Sequence, residues 1–421
     1  MGIHLKQHKS LGKHVTAILF VLQVLLKYGH ANQMDPHVYP KHGPFFEGWY
    51  LRIIDQSQNI SLGFLFGRVE PAHAGELKNS SACQNSGSGC LHSSGQLTPD
   101  GGQTEKTGLP LVYASLLLSL HPQSKLDTPG GYFSPDLYKV TKNGKPVSED
   151  PDDISPPQFE ASIGANVSFT VTPNHTQFQV QLGDHLLTGY TFRPVPWGPN
   201  GAGPESFLEK FHLPVHWFVY SLSSQVRYYK YMNLATGEEV IGRSTPGSPV
   251  IAHMEKNWGK SFPKAWVWAE GADPEKNMSF AFSAGIITEF KIDVKAQLSG
   301  YRNPGKEITC SFHPLNSVHS LEHNGCAGTA TLKVDGLDCA VTFVLTASPD
   351  SFSSCLAAPG AAGFQQGCVE SYTATADITV FQRKGGSMVL TDRHTITMAA
   401  LEFGAAYMCN GCAGGRNNLH V

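Results

Sequence analysis

The stretch GPFFEGWYLRI, Gly43 to Ile53, sets one carboxylate, Glu47, inside the most apolar and aromatic run that follows the first thirty residues. As a strand its side chains alternate: Phe45, Glu47, Trp49, Leu51 and Ile53 take one face and Phe46, Gly48, Tyr50, Arg52 and Ile54 the other. Short period-two runs recur along the chain, ISLGFLFGRV, LVYASLLLSL, HWFVYSLSS, VRYYKYMN, AWVWAEG, MSFAFSAGII and HTITMAALEFG among them, separated by Gly, Pro, Asn and Asp. No helical pattern alternates with them. Strands in series without intervening helices predict an all-β protein of antiparallel barrels or sandwiches.

A chain of 421 residues accommodates two such units, and 41% hydrophobic against 15% charged residues describes a globular protein with a lightly charged surface. The Pro/Gly-rich passage RPVPWGPNGAGPESF, Arg193 to Phe207, separates two strand-rich halves and predicts domains at 32–200 and 201–421. Residues 73–109 and 296–327 read as low-complexity surface loops without chemistry. Lys6, Lys9 and Lys13 precede an apolar run, Val15 to Leu26, that ends in Gly29-His30-Ala31, so residues 1–31 read as a cleaved secretory signal, with an uncleaved anchor as the alternative. Its removal takes four lysines and no acids, moving the formal charge from −3 to −7, a sign that argues against nucleic acid as a partner. Sequons at Asn59, Asn79, Asn166, Asn174 and Asn277, and nine cysteines, agree with a glycosylated, disulfide-bonded protein that is secreted or held in an endomembrane lumen. Close spacing favours the pairs Cys83–Cys90 and Cys409–Cys412, with Cys310, Cys326, Cys339, Cys355 and Cys368 unassigned. A redox or metal half-site at CNGC is the alternative, but no second Cys-x-x-Cys completes a tetrahedral site.

A carboxylate facing an apolar interior finds a cation or donors, or its pKa climbs until it is a neutral acid near pH 7. Glu47 is therefore either a staple paired with an arginine or a proton donor. A second cluster, HMEKNWGKSFPKAWVWAEG (His253 to Gly271), holds Glu255, Asn257, Trp258, Trp266 and Trp268, with the last two tryptophans and Glu270 on one strand face. Their rings could stabilise a carbocation or merely close a barrel end. His216 and Trp217 in PVHWFVYS are further candidates, and Glu402 in MAALEFG has small same-face neighbours, Ala400 and Gly404, that leave space beside its carboxyl. Gly-x-Ser-x-Gly, Walker, His-Glu-x-x-His and strand-linked Gly-x-Gly-x-x-Gly patterns are missing, which weighs against hydrolase, NTPase, zinc-protease and nicotinamide-dehydrogenase readings.

In order, GPFFEGWYLRI, RPVPWG, PVHW, EKNWGKSFPKAWVW and MAALEFG resemble blocks of the tocopherol cyclase family, from Gly43 to Gly404. The EKNWG block is the most specific of them. The resemblance implies two lipocalin-like barrels in tandem and a ring closure without cofactor or metal. In that reaction an alkene of a prenylated hydroquinone is protonated, and the phenol oxygen captures the tertiary cation to give a chromanol. From residue chemistry, Glu47 or Glu255 is the expected acid and His216 or Asn257 the group near the phenol. Trp49, Trp258 and Trp266 are expected around the cation, with Tyr50, Trp217, Trp268 and Glu402 also lining the substrate. The expected partner is an apolar small molecule, a prenylated quinol or related terpenoid, taken up with or without peripheral membrane contact. The competing reading is a secreted carrier that binds such a lipid unchanged. A secretory leader departs from the plastidial or cyanobacterial family, so a bipartite leader to a plastid is the alternative address. The ending AAYMCNGC also departs from the family.

Overall fold

The computed structural model describes residues 33–39, 43–72, 96–97, 111–121, 124–147, 157–289 and 292–411. Among them there is no α-helix, only short 3-10 turns, and the strands form one 14-stranded and one 10-stranded antiparallel sheet. The first sheet is centred on Phe45–Asp55, flanked by Ile60–Glu70 on one side and Ile251–Gly259 on the other. The second is centred on Ala265–Asp273 and Ser387–Ala405, which pair with each other. Each sheet curls around its own apolar interior.

The two expected strand faces of GPFFEGWYLRI hold. Trp49, Leu51 and Ile53 enter the core of the first sheet with Phe64, Phe169 and Phe178, while Tyr50 faces outward. Ala265–Asp273 behaves the same way: Val267 and Ala269 enter the second core, and Trp266 and Trp268 face the first sheet. Tyr50, Trp217, Trp266, Trp268, Tyr372 and Ala400 thus form a third apolar layer between the sheets. The period of two in each strand fixes this sorting, because inward and outward sets cannot mix without a register slip.

Three expectations are corrected. Residues 296–327 are not a surface loop: they carry the strands Ile292–Asn303, Ile308–Phe312 and Ser317–Asn324, whose small and polar residues obscure the period. The Arg193–Phe207 passage leads into a strand of the first sheet, Val215–Asn233, which continues through bulges near Ser221 and merges two expected strands. The sheets change over between Gly259 and Ala265, not at residue 200.

The third correction concerns the thiols. Cys409 is bonded to Cys326 rather than Cys412, and Cys310 to Cys339, so each bridge joins segments distant in sequence. Cys368 is buried and unbonded. The Cys83–Cys90 pair, the sequon at Asn79, the leader and nearly all of the 73–109 segment lie outside the described residues. Disulfides fit an oxidising compartment, and Asn59, Asn174 and Asn277 are exposed in or beside turns. No helix among the described residues is long and apolar enough to cross a membrane.

Candidate functional site

A cavity of about 380 Å³ lies between the sheets, not inside either barrel. The outward faces of both sheets build it: Tyr50 and Glu255 come from the first, Trp266, Trp268, Glu370 and Glu402 from the second. Glu47, Trp49, His216, Trp217 and Asn257 also line it, so all but one of the expected site residues converge here. The exception is Trp258, whose ring is sandwiched between His37, 4.6 Å away, and His216, 4.8 Å away.

Glu47 is not a neutral acid. Its buried carboxylate meets Lys256 Nζ at 2.7 Å and accepts from the His37 backbone N–H at 2.7 Å. Burial pushes the carboxyl up, but the Lys256 ammonium and His37 outweigh it and hold the group below the usual carboxylate range. The cation is a lysine from the neighbouring strand rather than the expected arginine. Trp49 and Trp258 present their faces to Lys256, at 5.3 and 4.9 Å, so a resident ammonium already occupies the place expected for a carbocation.

The outward face carries a second buried network. Arg52 Nη1 donates to Glu270 at 2.5 Å, and its guanidinium lies 4.3 Å from the Tyr372 ring centroid. His253 Nε2 pairs with Glu255 at 2.9 Å, and Trp268 Nε1 donates to the same carboxyl at 3.3 Å. Burial would strip His253 of its proton, yet Glu270 and Glu255 together raise its pKa. Tyr50 OH donates to Glu370 at 3.0 Å. Glu370 and Glu402 are direct cross-strand partners, and Trp266 Nε1 donates to Glu402.

Four carboxyls, Glu255, Glu270, Glu370 and Glu402, therefore face two cations, Arg52 and His253. Uncompensated buried carboxylates take up protons. Burial, then the neighbouring Glu402, drives the Glu370 carboxyl well above its ordinary value, and burial pushes Glu402 up to about 7 against the hydrogen bonds from Trp266 and Cys368. Glu370 and Glu402, opposite each other across the strands, are thus both pushed toward the protonated form. Gly404, beside Glu402 on the same face, has no side chain because the Trp266 ring lies where its Cβ would be, 1.9 Å away.

A different polar group stands elsewhere on the cavity wall. His216 Nδ1 meets Glu205 Oε2 at 2.7 Å, while Glu205 Oε1 accepts the Trp217 backbone N–H at 2.7 Å. The carboxylate orients the ring, and Nε2 makes no hydrogen bond among the described residues. The buried Trp217 Nε1 also has no partner among the described residues. Glu205 and Glu370 escaped the sequence reading. Glu205 sits in the Pro/Gly passage taken for a linker, whereas Glu370 alternates with Cys368 and Tyr372 and was accessible to the reasoning that singled out Glu402. No group of three or more His, Cys, Asp or Glu among the described residues could hold a metal ion.

Two curled antiparallel sheets with an acid-lined apolar cavity between them define a tandem lipocalin-like protein. The chain belongs to the tocopherol cyclase-like family, whose model matches residues 148–405. It is similar in fold to CghA in complex with Sch210972, at 9% identity and a TM-score of 0.51 over 90% of this chain and 96% of that one. Further likenesses are to a candidate AttH protein of Nitrosomonas europaea, at 13% identity and a TM-score of 0.45 over 89% of this chain and 99% of that one, and to kievitone hydratase from Nectria haematococca, at 12% identity and a TM-score of 0.38 over 89% and 95%. No curated protein matches the chain by sequence.

Proposed function

We propose that the protein is a cofactor-free cyclase that protonates a trisubstituted alkene of a prenylated hydroquinone or related terpenoid phenol and closes a chromanol ring. Glu402, backed by Glu370, gives its proton to the less substituted alkene carbon. The tertiary cation forms beside the Trp266 and Trp268 rings. The phenol oxygen then bonds to that carbon, and the phenolic proton passes to His216 Nε2, whose ring Glu205 holds. The product is an isomer of the substrate. A proton returned from His216 to Glu402 through solvent restores the enzyme.

The observation that carries this reading is a carboxyl pushed up to about 7, hydrogen-bonded by the Trp266 indole, in the wall of an apolar cavity. Asn257 supplies a donor for a second oxygen of the ring. Glu255, the other acid expected from the sequence, is engaged by His253 and Trp268, and in this reading it serves as a wall residue. In this reading Glu47, paired with Lys256, serves as a staple.

The test uses the purified chain and a prenylated hydroquinone in heavy water, with products read by mass spectrometry. A cyclase yields chromanol carrying one deuterium at the protonated carbon, and Glu402→Gln binds the substrate without converting it. Binding by the wild type with no product overturns the reading in favour of a carrier.

A further inference from the structure

The cavity wall holds one carboxylate to which the ring closure gives no chemical task. Glu255 stands opposite Tyr50 on the first sheet, 4% exposed. Its Oε2 takes two hydrogen bonds, from His253 Nε2 at 2.9 Å and from Trp268 Nε1 at 3.3 Å. Oε1 makes no hydrogen bond among the described residues and is not sealed in protein, so the cavity lies in front of it. Behind the carboxylate His253 is 1% exposed, yet it holds its proton more tightly than an ordinary histidine, because Glu270 and Glu255 outweigh its burial. His253 and Glu255 therefore form a buried ion pair with its negative end toward the cavity.

The two indoles of the wall differ in what their N–H groups meet. Trp266 Nε1 donates to Glu402, whereas Trp268 Nε1 donates to the Glu255 carboxylate. An indole bonded to an anion is polarised toward its ring, and a cation on that face is attracted both by the ring and by the anion at its edge. Trp268 is also the direct cross-strand partner of Glu402, while its N–H reaches the first sheet, so one ring joins the proton donor to the anion. The Glu255 charge acts on Glu402 too, where it favours the protonated form. A single fixed charge thus keeps the donor loaded and lowers the energy of the cation that forms when the donor acts.

We propose that Glu255 is the counter-ion of the cationic intermediate, which sits on the Trp268 face within reach of Oε1, with His253 fixing the carboxylate from behind. The proposal rests on the cyclase reading for the nature of the cation, but its first test reads charge preference without turnover. Binding of phenethyltrimethylammonium, a permanent cation, is compared with binding of its uncharged tert-butyl isostere by tryptophan fluorescence of the purified chain. The wild type binds the cation more tightly than the isostere, Glu255→Gln loses that preference by about tenfold or more, and Glu255→Asp keeps part of it. The glutamine carbonyl still accepts from Trp268, so a merely structural role would leave the preference unmoved. If Glu255→Gln fails to fold because His253 is left unpaired, the double variant Glu255→Gln/His253→Gln removes the pair as a unit and shows the same loss. With a prenylated hydroquinone, Glu255→Gln lowers kcat by about 10²-fold with little change in KM. No preference in the wild type, or an equal preference in the variants, overturns the proposal. A charge preference in a wild type that forms no chromanol leaves the anionic site standing and removes the cyclase, whereas chromanol formed at equal kcat by wild type and Glu255→Gln does the reverse.

Discussion

Glu402→Gln should make the protein progressively more stable than the wild type as pH rises. Folding takes this carboxyl from its ordinary 4.5 to about 7, so the native state holds the proton more tightly than the unfolded chain does. Stability from that proton is complete below pH 4.5 and is lost as pH climbs through about 7. At 1.36 kcal/mol for each tenfold change in proton affinity, the loss is about 3 kcal/mol. Glutamine is neutral throughout and loses nothing. Replacing Glu402 also removes the negative neighbour that helps raise Glu370, which adds to the effect in the same direction. Glu47, whose depressed pKa works the opposite way, is common to both proteins and cancels in the difference.

The assay is urea unfolding at intervals from about pH 4.5 to about pH 8, with the difference in unfolding free energy between variant and wild type plotted against pH. That difference should grow by about 3 kcal/mol across the window. Turnover of the wild type should fall over the same range, since the donor is then ionised. Parallel stability curves for the two proteins would refute the charge count that leaves Glu402 without a cation, and the proton-donor role with it.

Lys256→Met strands the buried Glu47 carboxylate and should cost about 3–5 kcal/mol in urea unfolding, most of it recovered in the double variant with Glu47→Gln. His216→Ala should lower kcat by about 10²–10⁴-fold with little change in KM, and Glu205→Gln should follow it in part, as steady-state kinetics would show. Gly404→Ala drives a methyl into the Trp266 ring; it should cost about 1–3 kcal/mol and alter the near-UV circular dichroism of the tryptophans. Cys326→Ser opens a link across 83 residues and should lower stability by about 4 kcal/mol, read as a drop in the midpoint of thermal unfolding.

Much of the fold was legible because strand alternation is a local property. The faces assigned to GPFFEGWYLRI and AWVWAEG are those the structure displays, and the residues so grouped meet at one cavity. Where the local period was masked by small and polar residues, as in 296–327, three strands read as loop. The Cys409 bridge was misread for a related reason: sequence proximity favours Cys409 with Cys412, but Cys326, remote in the chain, lies against Cys409 once the second sheet has curled.

By itself the chain determined its strands, their inward and outward sets, and that glutamates would stand among aromatic side chains. Only the tertiary structure decided which glutamate is charged. Lys256 reaches Glu47 because Ile251–Gly259 pairs with Phe45–Asp55, across roughly two hundred intervening positions. Glu402 is left facing Glu370, with no cation among the described residues to pair it, because Gly363–Lys384 pairs with Ser387–Ala405. Alternation follows from backbone geometry within one strand, whereas protonation follows from burial and from the charges that distant strands bring within a few ångströms.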